Sequence, residues 1–320
     1  MSDTINIFSV TDDNYAPYCG VMLTSVFENN KNYSLKVFIF ISKPLTKRNQ
    51  NKFHKLEIRY GNSIEFITVD DYSIRKLSIS NIWSIATFYK VFAGDLLPDS
   101  IHKVLYLDGD IIVTGDLAEL WDIDITGQAM AVVQDYCISC ERGQYRLQYP
   151  IEAGYFNGGM MLINLDYWRL NNVGRRCLTY IENNYDKLIY CDQDVLNAVL
   201  WNEKRFIPLT YNYLISYLGD YHYYRQSLDI QKEIIKFSKS PLIIHYCGPI
   251  LKPWSVVYYS LPFSEEWKSY KRLSPWSHKL SSPTKNKPIN WIIKRYILWP
   301  CGIMKPNFGF NIIKKQDEFR

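Results

Sequence analysis

The sequence predicts an α/β protein built on a mostly parallel sheet with helices on both faces. Two observations carry that expectation. Short, apolar, β-branched runs alternate with helix-period segments through the first half of the chain. In addition, apolar runs end in Asp108 and in His245, where an α/β sheet presents its ligands, the carboxyl ends of its strands.

Taken in order, residues 5–10, 35–41, 64–69, 104–107 and 129–133 read as buried strands. Residues 18–27, 45–58 and 85–97 read as helices between them; Arg59-Tyr60-Gly61 stops the second and Pro98 the third. The second half is less regular. Tyr155-Phe156-Asn157-Gly158-Gly159 opens into a strand reaching Asn164, and a helix follows over 166–185. Asp192-Gln193-Asp194 begins a helix over 195–201, where capping by itself accounts for one of the two aspartates. After Pro275, Ser-Pro, Lys-Pro and Trp-Pro steps read as a linker and tail.

A chain of 320 residues can bury a large core. Its net charge of +5 is unevenly spread, because residues 267–316 hold eleven Lys and Arg and no acid, which leaves the remainder at −6. The 26 tyrosines suit stacking on sugar or base rings, although packing explains most of them. No secretory signal and no run of about 18 apolar residues is present, and the seven cysteines are scattered, so a cytosolic protein with reduced thiols is expected. Cys137 and Cys140 form a CxxC pair but lack a second pair at zinc spacing.

Two segments carry chemistry. In the first, Lys103-Val104-Leu105-Tyr106-Leu107 delivers Asp108 and Asp110 one residue apart, as hard oxygen ligands for a divalent cation that clamps phosphates. The same Asp-Gly step also reads as a two-residue hairpin turn. In the second, Leu242-Ile243-Ile244 ends in His245, followed by Gly248 and Lys252: an imidazole ligand, a glycine for close phosphate approach and a point charge.

With these blocks in order, residues 5–280 resemble retaining glycosyltransferase family 8, closest to its bacterial lipopolysaccharide α-glucosyl- and α-galactosyltransferases. The blocks are Thr11-Asp12-Asp13-Asn14-Tyr15, residues 83–90, Leu107-Asp108-Gly109-Asp110, Phe156-Asn157-Gly158-Gly159, Asp192-Gln193-Asp194, and His245-Tyr246-Cys247-Gly248 with Lys252-Pro253-Trp254. The resemblance implies a GT-A fold, with a nucleotide-sugar half at about 1–135 and an acceptor half at about 136–266; composition, not the resemblance, marks 267–320 as a basic, aromatic membrane-association segment. The resemblance also implies Mn²⁺, or Mg²⁺, on Asp108, Asp110 and His245. Asp12, Asn14, Tyr15, Gly248 and Lys252 would hold the uridine diphosphate; Lys90, Asn157, Gly158, Asp192 and Gln193 would surround the donor sugar, and Asp135 would face the acceptor. Lys90 stands where the family usually has arginine, and the Gly248–Lys252 spacing is one residue longer than usual.

The expected activity is transfer of glucose or galactose from a UDP-sugar to a lipid-linked saccharide, with retention. Gln193, an amide, is a poor nucleophile, so front-face transfer is favoured, with Asp192 orienting sugar hydroxyls; the alternative mechanism is a nucleophilic Asp192. The alternative to an enzyme is a catalytically silent nucleotide-sugar-binding protein of the same fold. Trp291, Lys294, Arg295 and Trp299 suit an anionic inner leaflet, hence a peripheral location on the cytoplasmic membrane. No nucleic-acid motif accompanies the basic tail.

Overall fold

The computed structural model describes residues 4–70, 85–136, 143–248, 251–254 and 261–278. A seven-stranded sheet runs in the order β3-β2-β1-β4-β7-β6-β8. Its strands are β1 Ile5–Val10, β2 Leu35–Ile41, β3 Ser63–Thr68, β4 Lys103–Leu107, β6 Met130–Gln134, β7 Phe156–Asn164 and β8 Lys204–Phe206. Only β7 runs against the others, antiparallel to both β4 and β6. A small sheet joins β5 Ile111–Val113, β10 Ile243–His245 and β9 Tyr213–Leu214.

The central strands are largely apolar because both faces are covered, whereas the edge strands are not: β3, expected to be buried, carries exposed Ser63, Glu65 and Thr68, and β8 exposes Arg205 and Phe206. Ile7, Val37, Ile39 and Leu105 pack with helices Ala16–Asn29 and Lys47–Tyr60 on one side. Phe8, Phe38, Phe40 and Tyr106 point to the other, with Phe8 in ring contact with Phe40 and Tyr106. Alternate residues thus enter different cores, which a continuous apolar run permits and an alternating one does not. Helix Lys47–Tyr60 starts on Thr46, whose side chain accepts the Asn49 N–H, and ends at Gly61 as its sequence signals.

Several expected boundaries move. The segment over 85–97 forms a 3-10 helix, Ile85–Phe92, followed by one α turn, Ala93–Leu96. The helix expected over 166–185 breaks at Asn171-Asn172 into Leu165–Leu170 and Val173–Asn184. The helix expected from 195 starts earlier, as Cys191–Val199. Gly158 and Gly159 lie inside β7 rather than ahead of it.

Helix Ser264–Leu273 crosses residue 267, and the packed body continues to Trp276. The Trp276 indole lies on Gly20, where a Cβ would come within 2.1 Å of it. It also meets the Phe53 ring at 4.9 Å and donates to Asn49 Oδ1 at 3.0 Å. Residues 279–320, with most of the basic tail, lie outside the described residues, as do Cys137 and Cys140. The described cysteines Cys19, Cys177, Cys191 and Cys247 are free thiols. Among the described residues, no helix is long and apolar enough to cross a membrane.

Replacing a buried tryptophan by alanine costs about 3–5 kcal/mol. Trp276→Ala is therefore expected to lower unfolding stability by that amount in urea titration, and a loss below about 1 kcal/mol would show that this segment only decorates the body.

Candidate active site

β4 and β5 do not pair with each other, which eliminates the hairpin reading of Asp108-Gly109-Asp110. These residues instead carry the chain out of the large sheet and into the small one. The Asp108 N–H donates to Gly159 O of β7 at 2.8 Å, and Asp110 O accepts the Tyr246 N–H at 3.0 Å. In the small sheet His245 sits opposite Ile111, so register places the imidazole beside Asp110. His245 Nε2 lies 3.3 Å from Asp110 Oδ1 and 3.9 Å from Asp108 Oδ2. One ligand atom from each of Asp108, Asp110 and His245 falls within 4.8 Å of the others.

Room for that cluster comes from Gly159. A Cβ there would lie 2.2 Å from His245 Cε1 and 2.9 Å from Asp108 Oδ2. The glycine pair thus has a steric role that its place in the motif did not disclose.

Two ammonium groups balance the carboxylates. Lys252 reaches back to pair with Asp110 Oδ2 and donates to Tyr246 O at 2.8 Å, despite its unusual spacing from Gly248. Burial alone would raise the Asp110 carboxyl, but the Lys252 ammonium, and the His245 ring whenever it is protonated, outweigh it and hold the group well below the usual carboxylate range. Lys90 is 4% exposed and spends its three N–H donors on Asp192 Oδ2 at 2.8 Å, Asp108 Oδ1 at 3.2 Å and Gly158 O at 3.1 Å. Burial opposes its charge, yet Asp108 and Asp192 keep it raised and protonated. Asp192 shows the reverse balance, since burial raises its carboxyl in spite of Lys90.

The remaining sugar-side residues join the same network. Gln193 Oε1 accepts from Gly158 N at 3.1 Å and Asn157 Nδ2 at 3.2 Å, while Gln193 Nε2 donates to Asp135 Oδ2 at 3.3 Å. Asn157 Nδ2 also reaches Asp135 Oδ2, and Tyr217 OH reaches Asp135 Oδ1. Asp194 is the structural member of the Asp-Gln-Asp block. Fully buried, it takes both Arg146 guanidinium nitrogens at 2.8 Å, the Tyr155 hydroxyl and the N–H groups of Ile189 and Tyr190.

At the outer edge, Asp12 is used locally: its Oδ1 accepts the Tyr15 N–H at 2.7 Å at the start of helix Ala16–Asn29. Asn14 and Tyr15 are exposed at the carboxyl end of β1, and the Tyr15 ring lies over Gly109. Tyr18 and Trp254 stack at 4.0 Å beside it, with Lys252 Nζ 5.6 Å from the Trp254 ring. Gly248 has φ 87°, a turn a side chain resists.

The residues fit a divalent cation. Two carboxylates and an imidazole form an oxygen-rich donor set suited to Mn²⁺ or Mg²⁺. The surrounding Asp108, Asp110, Asp135 and Asp192 against Lys90 and Lys252 leave a formal charge of −2. Asn212, outside every motif, was invisible to sequence reasoning. It lies buried between Tyr211 and Tyr213 and bonds His245 Nδ1 at 3.0 Å.

A sequence profile of the family "Glycosyl transferase family 8" matches residues 6–257. The chain belongs to that family. Glycosyl transfer is accordingly its class of activity, and the family's enzymes use a nucleotide-sugar donor and a divalent metal. Among family 8 relatives, the lipopolysaccharide 1,2-glucosyltransferase of Escherichia coli (strain K12) is 29% identical over 303 residues, covering 92% of this chain and 85% of its own. The lipopolysaccharide 1,3-galactosyltransferase of Salmonella typhimurium is 27% identical over 92% of this chain and 86% of its own. General stress protein A of Bacillus subtilis is also 27% identical, over 89% of this chain and 99% of its own. The crystal structure of galactosyltransferase LgtC with donor and acceptor sugar analogs superposes with a TM-score of 0.73 at 24% identity, covering 91% of this chain and all of that one. The fold is therefore the expected GT-A arrangement.

Overpacking a filled site costs about 1–3 kcal/mol. Gly159→Ala is expected to fold with modestly lower stability and to lose at least tenfold in Mn²⁺ affinity by calorimetry; unchanged affinity would show that β7 does not wall the metal position.

Proposed function

We propose that the protein transfers glucose or galactose from a UDP-sugar to a saccharide of lipopolysaccharide or another lipid-linked glycan, with retention of configuration. The observation that carries this reading is the meeting of Asp108, Asp110 and His245 within 4.8 Å, beside the Gln193, Asp192 and Asn157 network, at one sheet edge. The names of the lipopolysaccharide transferases among its relatives support the acceptor class.

A divalent cation on Asp108, Asp110 and His245 would neutralise charge on the departing diphosphate. Lys252, already drawn to Asp110, adds a positive charge beside that position. Asp192, held by Lys90, and Asn157 offer acceptors and donors to sugar hydroxyls. Gln193 cannot form a glycosyl ester, and its carbonyl is engaged by Gly158 and Asn157. With the Asp192 carboxylate tied to Lys90 as well, this reading has attack from the face the leaving group departs, the phosphate oxygen taking the acceptor-hydroxyl proton. In this reading Asp135, beside Gln193 and Asn157, would orient that acceptor. A silent binding protein would keep the same donor contacts without turnover.

In assays with UDP-glucose or UDP-galactose, Mn²⁺ and a lipopolysaccharide-type acceptor, the wild type should release UDP and form an α-linkage by NMR coupling. Asp110→Ala and His245→Ala should stay folded and lose transfer. A β-linked first product, or near wild-type turnover in either variant, would sink this reading; donor binding without UDP release would favour the silent alternative.

We further infer that residues 279–320, basic and tryptophan-bearing, dock on anionic membrane. Cutting after Ser281 keeps Trp276 and should abolish co-sedimentation with anionic vesicles while leaving hydrolysis of free UDP-sugar intact. Undiminished sedimentation of the shortened chain would refute membrane docking by this segment.

A further inference from the structure

Asn212 is fully buried, carries no motif and faces the one imidazole of the site. An amide's oxygen and nitrogen are told apart only by what they bond, so its orientation follows from groups whose roles are fixed. The Gly159 backbone N–H can only donate, and it points at Asn157 at 3.0 Å; the atom it meets is therefore Asn157 Oδ1. Asn212 reaches the same oxygen at 2.9 Å and must do so through its NH₂. At the other end of Asn157, the NH₂ meets the Asp135 carboxylate at 3.2 Å, which accepts only, so both ends give the same orientation. Asn212 then turns its oxygen to His245, and at 3.0 Å the neutral ring must carry its proton on Nδ1.

We propose that Asn212 is a positioning residue that fixes His245 in the Nδ1–H tautomer through this amide relay, leaving Nε2 bare toward Asp108 and Asp110. The proposal rests on His245 being a metal ligand. Without the relay, a neutral imidazole 3.3 Å from Asp110 would move its proton to Nε2 and donate to the carboxylate, satisfying both groups and occupying the lone pair a cation needs. With the relay, a neutral ring offers no hydrogen of its own to the two carboxylates, and the Nε2 lone pair stays directed at them, open to a cation or a proton. The relay also ties the metal ligand to Asn157 and hence to Gln193 and Asp135, so one network sets the tautomer and the sugar-side amides together.

The test uses the full chain labelled with [¹⁵N]histidine, without metal and at alkaline pH, the His245 signals being identified by their loss in His245→Asn. Wild type should show Nδ1–H. In Asn212→Leu, which matches the volume without an acceptor, the ring should change to Nε2–H. Mn²⁺ affinity, read by the EPR signal of free Mn²⁺, should fall about 10–100-fold, the usual effect of losing an outer partner of a metal-bound histidine. An Nε2–H ring in wild type overturns the proposal even if the leucine variant fails to fold. Equal Mn²⁺ affinity in wild type and variant overturns the relay alone, whereas a wild type that binds no Mn²⁺ overturns the metal reading and the relay with it.

Discussion

Crowding of negative charge at one buried edge is the constraint on which the rest of the structure depends. Carboxylates about 4 Å apart repel by about 4 kcal/mol at an effective dielectric of 20, and Asp108, Asp110 and Asp192 share that edge. The fold answers with two buried or half-buried ammonium groups rather than with solvent. Lys90 divides its donors between Asp108 and Asp192, and Lys252 covers Asp110. Each ammonium sits on a flexible stem, so the sheet itself carries no counter-charge. In this setting the point charge at 90 has a use that a planar guanidinium would fill less readily, since its three donors diverge to three acceptors.

Strand direction brings those groups together. A wholly parallel sheet gathers only carboxyl ends at its ligand edge. Because β7 is reversed, its amino end, with Asn157, Gly158 and Gly159, arrives where β4 and β6 deliver Asp108 and Asp135. Gln193 is then bonded from two sides, by β7 and by the residue after β6. Its own turn is strained: Cys191 holds φ 48°, a region that costs a non-glycine residue of order 1 kcal/mol or more. The buried Asp194, with five donors converging on it, offsets that strain and fixes the first turn of the helix carrying Asp192 and Gln193.

What could be read from the sequence follows from what is local in it. Strands buried on both faces leave unbroken apolar runs, so β1, β2 and β4 were legible to within a residue, and the acids and imidazole at strand ends were visible as breaks in those runs. Reversal of β7 leaves no mark in composition. The left-handed Asn172 that splits one helix, and the 3-10 geometry over Ile85–Phe92, are tertiary choices that periodicity cannot distinguish from a regular α-helix. Asn212 escaped because its meaning lies in partners 33 and 55 residues away. Gly159 escaped because a glycine in a motif suggests backbone freedom, whereas here the missing Cβ is what matters.

The C-terminal segment shows how far from the chemistry the site's support extends. Helix Ala16–Asn29 presents Tyr15 at its amino end, over Gly109 of the acidic turn, and its position is set from behind by Trp276 on Gly20. Trp267 meets Trp254 at 5.3 Å, and Trp254 stacks on Tyr18 of the same helix, next to the lysine that pairs with Asp110. Indoles from 254 to 276 therefore brace the edge that carries Tyr15 and Lys252 from outside the large sheet.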